Sequence, residues 1–424
     1  MAGLLAARGL ADTFDEVTVL EADPAVEAAV ARRGVPQSHH IHVMQEPGRR
    51  ILETLFPGYR ADLLSAGGLE IDGAADVDFY AQGGFLADGP VRLPQYAATR
   101  PLYEHLVRTL VVTLPGVEFR SGCRCTDSLL DRAGTTVRGV SITNAERGRE
   151  ELEATLVVDA TGRTSRTPNW LARHDFPTPP VDEVHVDLAY STVRIDRPIG
   201  TRSALLVQPD APRRRGAAVF PIEGGQWLVT LVGVHGDHPP GEPDEFVEYA
   251  QSLPVDDVGR LLDEYPMDSD VRRYPFPSSL RRRYEDLDRY PAGMLVLGDA
   301  LASLNPVYGQ GMSVAALEAA ELRELLASTT DGDLAPRFYR RAASVIEDAW
   351  RLSVGSDFAF PQTTGPRPTG ATLVNRYVAR LLRTAHHDGR VTDAFVRVVR
   401  MERPPSTLFR PGLAWRVLKP TFRV

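Results

Sequence analysis

The sequence predicts an α/β protein: a helix-wrapped parallel layer, an antiparallel sheet and a helical C-terminal segment. Three observations predict it. Late in the chain, PAGMLVLGDA is a short apolar run bounded by turn residues, the pattern of a buried strand, and VAALEAAELRELLA beyond it is strongly helix-forming. The chain opens on another helix and strand, MAGLLAARGLADTFDEVTVLEAD, which ends in the acid Glu21. From residue 176 to 276, alternating strands follow one another between Gly and Pro turns, as in an antiparallel sheet with one face free to line a pocket.

Composition sets the bounds. At 424 residues the chain is long enough for two or more domains and a large core. It is 43% hydrophobic and 25% charged, as ordinary globular proteins are. A net charge of −8 gives no reason to expect nucleic-acid binding. Cys123 and Cys125 are separated by one residue, a poor disulfide pair and too few ligands for zinc; they fit a reducing cytoplasm. Neither a signal peptide nor a run long enough to span a bilayer is read, so a cytoplasmic protein without a transmembrane segment is expected.

Taken in order, the first helix and strand look like the second half of a dinucleotide unit, in which a strand, a glycine-rich turn, a helix and a second strand end in an acid. Gly3 stands at the last glycine of that turn and Glu21 at the acid. The first strand and the first two glycines do not precede them, and the native chain is expected to start upstream of Met1. A loop marked by Gly34, Val35 and Pro36 follows, then the helical GRRILETLF. His39, His40 and His42 lack a Cys or carboxylate spaced to complete a metal site, so they read as bonded loop or strand residues. Residues 70–95 alternate like strands. TRPLYEHLVRTLVVTLPGVEFR gives a helix, with Arg100 at its start, and a strand.

A small β-meander then leads into LVVDATGRTSR, where Asp159 reads as a strand-end acid. In the following sheet, Tyr190, Phe220, Trp227 and Phe276 either wall an apolar substrate site or fill plain core. Arg213 to Arg215 read as a solvated hairpin. Helix is expected through about residue 353, then a Pro/Gly linker over 360–370 and two amphipathic helices. From Phe360 onward there are eleven Arg and Lys419 against three acids. This basic tail either packs over the parallel-layer domain with its arginines in solvent or docks on an acidic carrier protein or a membrane surface.

The most informative stretch is 298–313, GDALASLNPVYGQGMS. An aspartate at a strand end and glycines at 309 and 311 let backbone N–H groups at a helix start approach an anionic ligand. This stretch resembles the second flavin-binding motif of the p-hydroxybenzoate-hydroxylase type (group A) of FAD-dependent monooxygenase. Gly298, Asp299, Ala300, Pro306, Gly309 and Gly311 fall in register; Ala302 stands where His is usual and Ser313 where Asn is usual. The wording NPVYGQGM, and the earlier RxGVPQ, is most similar to bacterial polyether-type flavin epoxidases. The resemblance implies a Rossmann-like FAD-binding domain over 1–70, 96–175 and 277–358, with its first strand missing. It further implies an antiparallel substrate-binding sheet over 71–95 and 176–276 and a C-terminal helical segment over 359–424.

It also implies the site. Asp299 would bond the ribityl chain, the amides around Gly311 and Met312 would face the flavin ring, and Pro306 and Gly309 would lie near that ring. Gly3 and Glu21 would serve the adenosine end, Arg100 the pyrophosphate, and Arg33, Gln37 and Gly162 would lie near the cofactor. Thr161 replaces the Asp of a second family motif at 160–165, which leaves the docking of NADPH or NADH open. The function implied is insertion of one oxygen atom from O2 into an electron-rich, apolar natural product, with alkene epoxidation favoured. Aromatic hydroxylation, flavin-dependent alkene reduction and a flavin-free scaffold remain as alternatives. A flavin reductase or a carrier protein is a candidate partner.

Overall fold

The computed structural model describes residues 1–144, 148–328 and 334–419; residues 145–147, 329–333 and 420–424 lie outside it. The parallel layer consists of two separate pairs. Val17–Glu21 runs parallel to Val117–Ser121, and Val157–Asp159 runs parallel to Met294–Val296. Among the described residues no strand joins the pairs, so each keeps an open edge. The first helix, Ala2–Leu10, packs on the long helix Gly311–Ser328, and Gly9 is the contact point. A Cβ there would lie 3.3 Å from the Ala319 carbonyl oxygen. Leu4, Leu5, Leu295, Val296 and Leu322, all buried, tie these elements into one apolar core, and that core is what fixes the end of the Met294–Val296 strand.

The second layer is an eight-stranded sheet. Its order is Ala302–Ser303, Arg272–Arg282, Val181–Asp196, Gln226–Val234, Arg215–Ile222, Ala204–Val207, Val77–Ala81 and Gly84–Phe85. Every pairing is antiparallel except that of Ala204–Val207 with Val77–Ala81. Period-two alternation sends successive side chains to opposite faces. On Gln226–Val234, Trp227, Val229 and Leu231 enter a core with helices Pro243–Gln251 and Asp257–Glu264, while Thr230 and Val232 face a chamber on the other side. The 70–95 region divides: Leu69–Asp72 pairs with Pro94–Ala97, and only its middle joins the large sheet.

Past Ser313 the described residues are helical over Gly311–Ser328 and Leu334–Asp357, and the stretch of the expected helix between them lies outside the described residues. One expectation needs correction. Arg213 and Arg215 are not free in solvent: Arg213 pairs with Asp210 at 2.7 Å, and Arg215 pairs with Asp237 at 2.8 Å and lies over the Tyr249 ring. The tail forms the two expected helices, Ala371–Ala385 and Gly389–Val399, plus a third, Pro411–Leu418.

Candidate active site

The site begins where the buried Met294–Val296 strand ends. Gly298 turns the chain at φ +68°, and a Cβ there would come within 2.6 Å of Ala2 Cβ. Glu318, fully buried in the long helix, accepts a hydrogen bond from the Gly298 N–H at 2.6 Å. Burial, eased by that bond and aggravated by Asp299, pushes the Glu318 carboxyl up to about 8, so it is mostly protonated at neutral pH. Farther on, Asn305 Oδ1 accepts from the Val307 N–H at 3.1 Å and caps the 306–308 turn. Gly309 then adopts the left-handed φ of +62° that favours glycine.

The helix that follows starts at Gly311. Its first back-bonded amides are Ser313 and Val314, both donating to the Gln310 carbonyl at 3.0 Å. The amides of Gly311 and Met312 therefore have no intrahelical acceptor, as at any helix N-terminus. Ser313, in the place where Asn is usual, holds the neighbouring segment instead: its Oγ accepts from the Gln45 N–H at 2.8 Å. A Cβ on Gly311 would lie 4.0 Å from Asp299 Oδ1. Burial pushes the Asp299 carboxyl up, while Arg100 and Arg163 draw it down.

Beyond Asp299 runs a line of charge. Arg100, at the start of the Thr99-capped helix Arg100–Val112, is buried; Glu104 lies 2.8 Å from its Nη1, yet not along the N–H direction, so that N–H has no hydrogen-bond acceptor. Arg32 gathers Glu21 at 2.7 Å, Asp23 at 3.2 Å and Glu104 at 2.5 Å. Glu21 and Arg100 thus sit on one charged track with Asp299. Arg33 is exposed, and Gln37 lies in the half-buried turn Pro36–His39. Gly3 faces Ala160: a Cβ on Gly3 would lie 3.4 Å from Ala160 Cβ, and Gly162 turns at φ +83° two residues beyond. Asp159 is saturated as a structural acid: Thr161, Ser165 and Thr167 hydroxyls all donate to it at 2.5–2.6 Å.

On the other side of the 306–309 turn is a cavity of about 260 Å³. Pro306, Val307, Tyr308 and Gly309 form one end; Tyr190, Phe220, Thr230 and Val232 of the sheet form a wall; Leu352 of helix Leu334–Asp357 and Val378, Leu382 and Phe395 of the tail helices close it. Of the expected pocket residues, Tyr190 and Phe220 line this chamber. Trp227 lies on the opposite face of the sheet, its indole N–H donating to the Ser203 carbonyl at 3.1 Å. Phe276 packs under the Arg163 guanidinium, 5.3 Å from its ring centre.

Two polar groups at this chamber carry contacts the sequence did not assign: His40 lines it, and Asp357 lies behind Tyr308. Asp357 ends the helix Leu334–Asp357 and is buried; its Oδ1 accepts from Asn305 Nδ2 at 2.8 Å and from the Tyr308 hydroxyl at 3.2 Å, while Oδ2 has no partner. Burial pushes this carboxyl up to about 7. No signal in the sequence ties it to the motif fifty residues earlier. His40, expected as a bonded loop or strand residue rather than a metal ligand, is buried between Tyr190 and Tyr274. Its Nδ1 bonds the Thr192 hydroxyl at 2.7 Å, its Nε2 has no partner, and burial lowers its pKa to about 3. His42 bonds the His40 carbonyl at 3.0 Å, and His39 is half-buried nearby. Among the described residues no three His, Cys, Asp or Glu groups are arranged to hold a metal ion, and no helix is long and apolar enough to cross a membrane.

No family model matches the chain. Protein Rv3254 of Mycobacterium tuberculosis is 32% identical over 413 residues, which cover 94% of this chain and 87% of the relative. Among solved structures, the p-nitrophenol 4-monooxygenase PnpA of Pseudomonas putida superposes with a TM-score of 0.65 at 16% identity, over 95% of each chain. A flavoprotein/dehydrogenase from Cytophaga hutchinsonii superposes with a TM-score of 0.69 at 13% identity, over 98% of this chain and 93% of its own. At these identities the likeness is one of fold: a mixed α/β architecture with a large sheet beside a helix-packed layer.

Proposed function

This chain belongs to the family of Protein Rv3254, and from that premise we propose that it is an FAD-dependent monooxygenase inserting one oxygen atom from O2 into an electron-rich, apolar substrate. One observation carries the reading. A single turn, 306–309, separates an apolar chamber from a charged track that ends in free helix amides. The polar groups of that track match those FAD needs. The Arg100 N–H without an acceptor, the Gly311 and Met312 amides and the unbonded Asp299 carboxylate are the donors and acceptor that a pyrophosphate, a ring edge and a ribityl chain need. Glu21 would take the adenosine ribose; Gly3, Arg33, Gln37 and Gly162 remain assigned to the same cofactor. When bound, FAD supplies the redox and oxygen chemistry.

The chain's own groups do the rest. The positive end of an 18-residue helix favours an anion at Gly311 and Met312. The chamber excludes water and holds the substrate against Pro306 and Gly309. Its largely apolar lining suits an alkene, so epoxidation is the first reading, with NADPH or NADH as reductant. Aromatic hydroxylation is the second, because the Tyr308 hydroxyl, on a chamber-lining residue, donates to the buried Asp357 carboxyl behind it, a route for a phenolic proton. We also propose that a further strand fills the space between the open edges of Val17–Glu21 and Val157–Asp159, since unpaired edges inside a parallel layer are rare.

The test is reconstitution with FAD. Visible flavin absorbance, NAD(P)H oxidation and product mass under labelled O2 are expected. Asp299→Ala should lower bound flavin at least about tenfold, the worth of one charge-assisted bond. Protein that stays colourless with FAD in excess would sink the enzyme reading.

A further inference from the structure

The tail that closes the chamber with residues up to Phe409 also carries large exposed apolar side chains. Leu373 is 70% exposed, Trp415 71%, Leu418 55%, Phe409 45% and Val374 40%. They form one surface. On helix Ala371–Ala385, Leu373, Tyr377 and Arg380 share a face by helical spacing. Phe409 stacks on Tyr377 with ring centres 4.8 Å apart. Arg380 donates to the carbonyls of Val417 at 2.7 Å and Leu418 at 3.0 Å, which lays helix Pro411–Leu418 along the same face. Val417 points inward and is 1% exposed, so Trp415 and Leu418 point out.

Charge follows the same division. The segment's three acids are all consumed inside it: Asp388 pairs with Arg416, Asp393 with Arg397, and Glu402 with Arg397 and Arg400. Arg376, Arg410 and Lys419, one to three residues from Leu373, Phe409 and Leu418, are left exposed. The surface meets the chamber directly, because Val374 and Phe409 line the cavity as well as the exterior.

We infer that this face seats on an anionic lipid bilayer and takes its substrate from it. Aromatic and aliphatic side chains flanked by exposed bases suit the interface of a membrane carrying negative lipids. An acidic carrier protein would pair with the arginines but would leave Trp415, Leu418 and Leu373 in water. Entry at Val374 and Phe409 would pass an apolar molecule from lipid to chamber without crossing water. The inference rests on reading that chamber as the substrate site.

The experiment uses the full chain loaded with FAD and vesicles of phosphatidylcholine, with or without phosphatidylglycerol. Trp170, Trp227 and Trp350 are buried, so a change in tryptophan emission reports Trp415. Flotation with phosphatidylglycerol vesicles and a blue-shifted emission are expected, both weakened by salt. Trp415→Ser with Leu418→Ser should reduce vesicle binding at least about tenfold while circular dichroism and flavin absorbance stay unchanged. No flotation with either vesicle would overturn the proposal. So would emission that shifts only with an acyl carrier protein, or a dimer in light scattering that shields Trp415 in free protein. Flavin bands without flotation sink this inference alone; flotation without flavin bands sinks the oxygenase reading alone.

Discussion

Glu318 and Asp357 show what a buried acid costs when burial, rather than a partner, sets its pKa. Each carboxyl rises on folding, from an ordinary 4.5 to about 8 for Glu318 and from 3.8 to about 7 for Asp357. Between those values the unfolded chain has lost the proton and the folded chain has kept it, so stability falls as pH rises through that window. Glu318→Gln keeps an acceptor for the Gly298 N–H and cannot ionise. The melting-temperature difference between Glu318→Gln and wild type should therefore grow from pH 4.5 to 8 and level off above. For Asp357→Asn the growth should span pH 3.8 to 7. A difference that is flat with pH would contradict the burial argument. Glu318→Ala should instead lose about 1–3 kcal/mol even at low pH, by leaving the Gly298 N–H unpaired. Asp299 was legible because it sits inside a short motif. Glu318 reads as one more acid on a helix, and only three-dimensional packing shows that it is fully buried.

Elements were legible where their periodicity was strong, as in the long sheet strands and the two tail helices. The third helix, Pro411–Leu418, was not, because eight residues carry too little pattern. Contacts between elements were less legible still. Helix Glu46–Leu55 crosses helix Gly311–Ser328 at Gly48, where a Cβ would lie 2.5 Å from Met44 Sδ and 2.7 Å from Ser313 Oγ. Ser313 is also the acceptor for the Gln45 N–H, so this crossing holds the start of helix Gly311–Ser328. Gly48→Ala should destabilise by about 1–3 kcal/mol in denaturant titration, as overpacking does, and should lower flavin content with it. Gly355, on an open helix face where a Cβ meets nothing within 4 Å, is the control: Gly355→Ala should be neutral or stabilising. The reverse order of the two variants would show that the helices do not cross there.

At the scale of the molecule, the chamber exists only because distant parts of the chain meet: the 306–309 turn, one face of the large sheet and the tail helices. None of these reports the others in sequence, which is why Tyr190 and Phe220 could not be told from Trp227 and Phe276 by residue type. Once the pairing register is known, alternation along a strand decides it. On Arg215–Ile222, Ala218 faces the chamber and its neighbour Val219, 2% exposed, belongs to the core on the far side. The same substitution at these adjacent positions should therefore fail in opposite ways. Ala218→Trp has room to enter the cavity, so unfolding should change by under about 1 kcal/mol, while binding of an apolar fluorescent probe such as Nile red should fall at least about tenfold. Val219→Trp has no cavity to enter, so it should cost about 1–3 kcal/mol or more and leave probe affinity of the folded fraction near wild type. Isothermal denaturation and probe titration on both variants check it. If Val219→Trp were tolerated and Ala218→Trp unfolded the protein, the sheet would be facing the other way, and the substrate chamber would have to be sought on the side of Trp227.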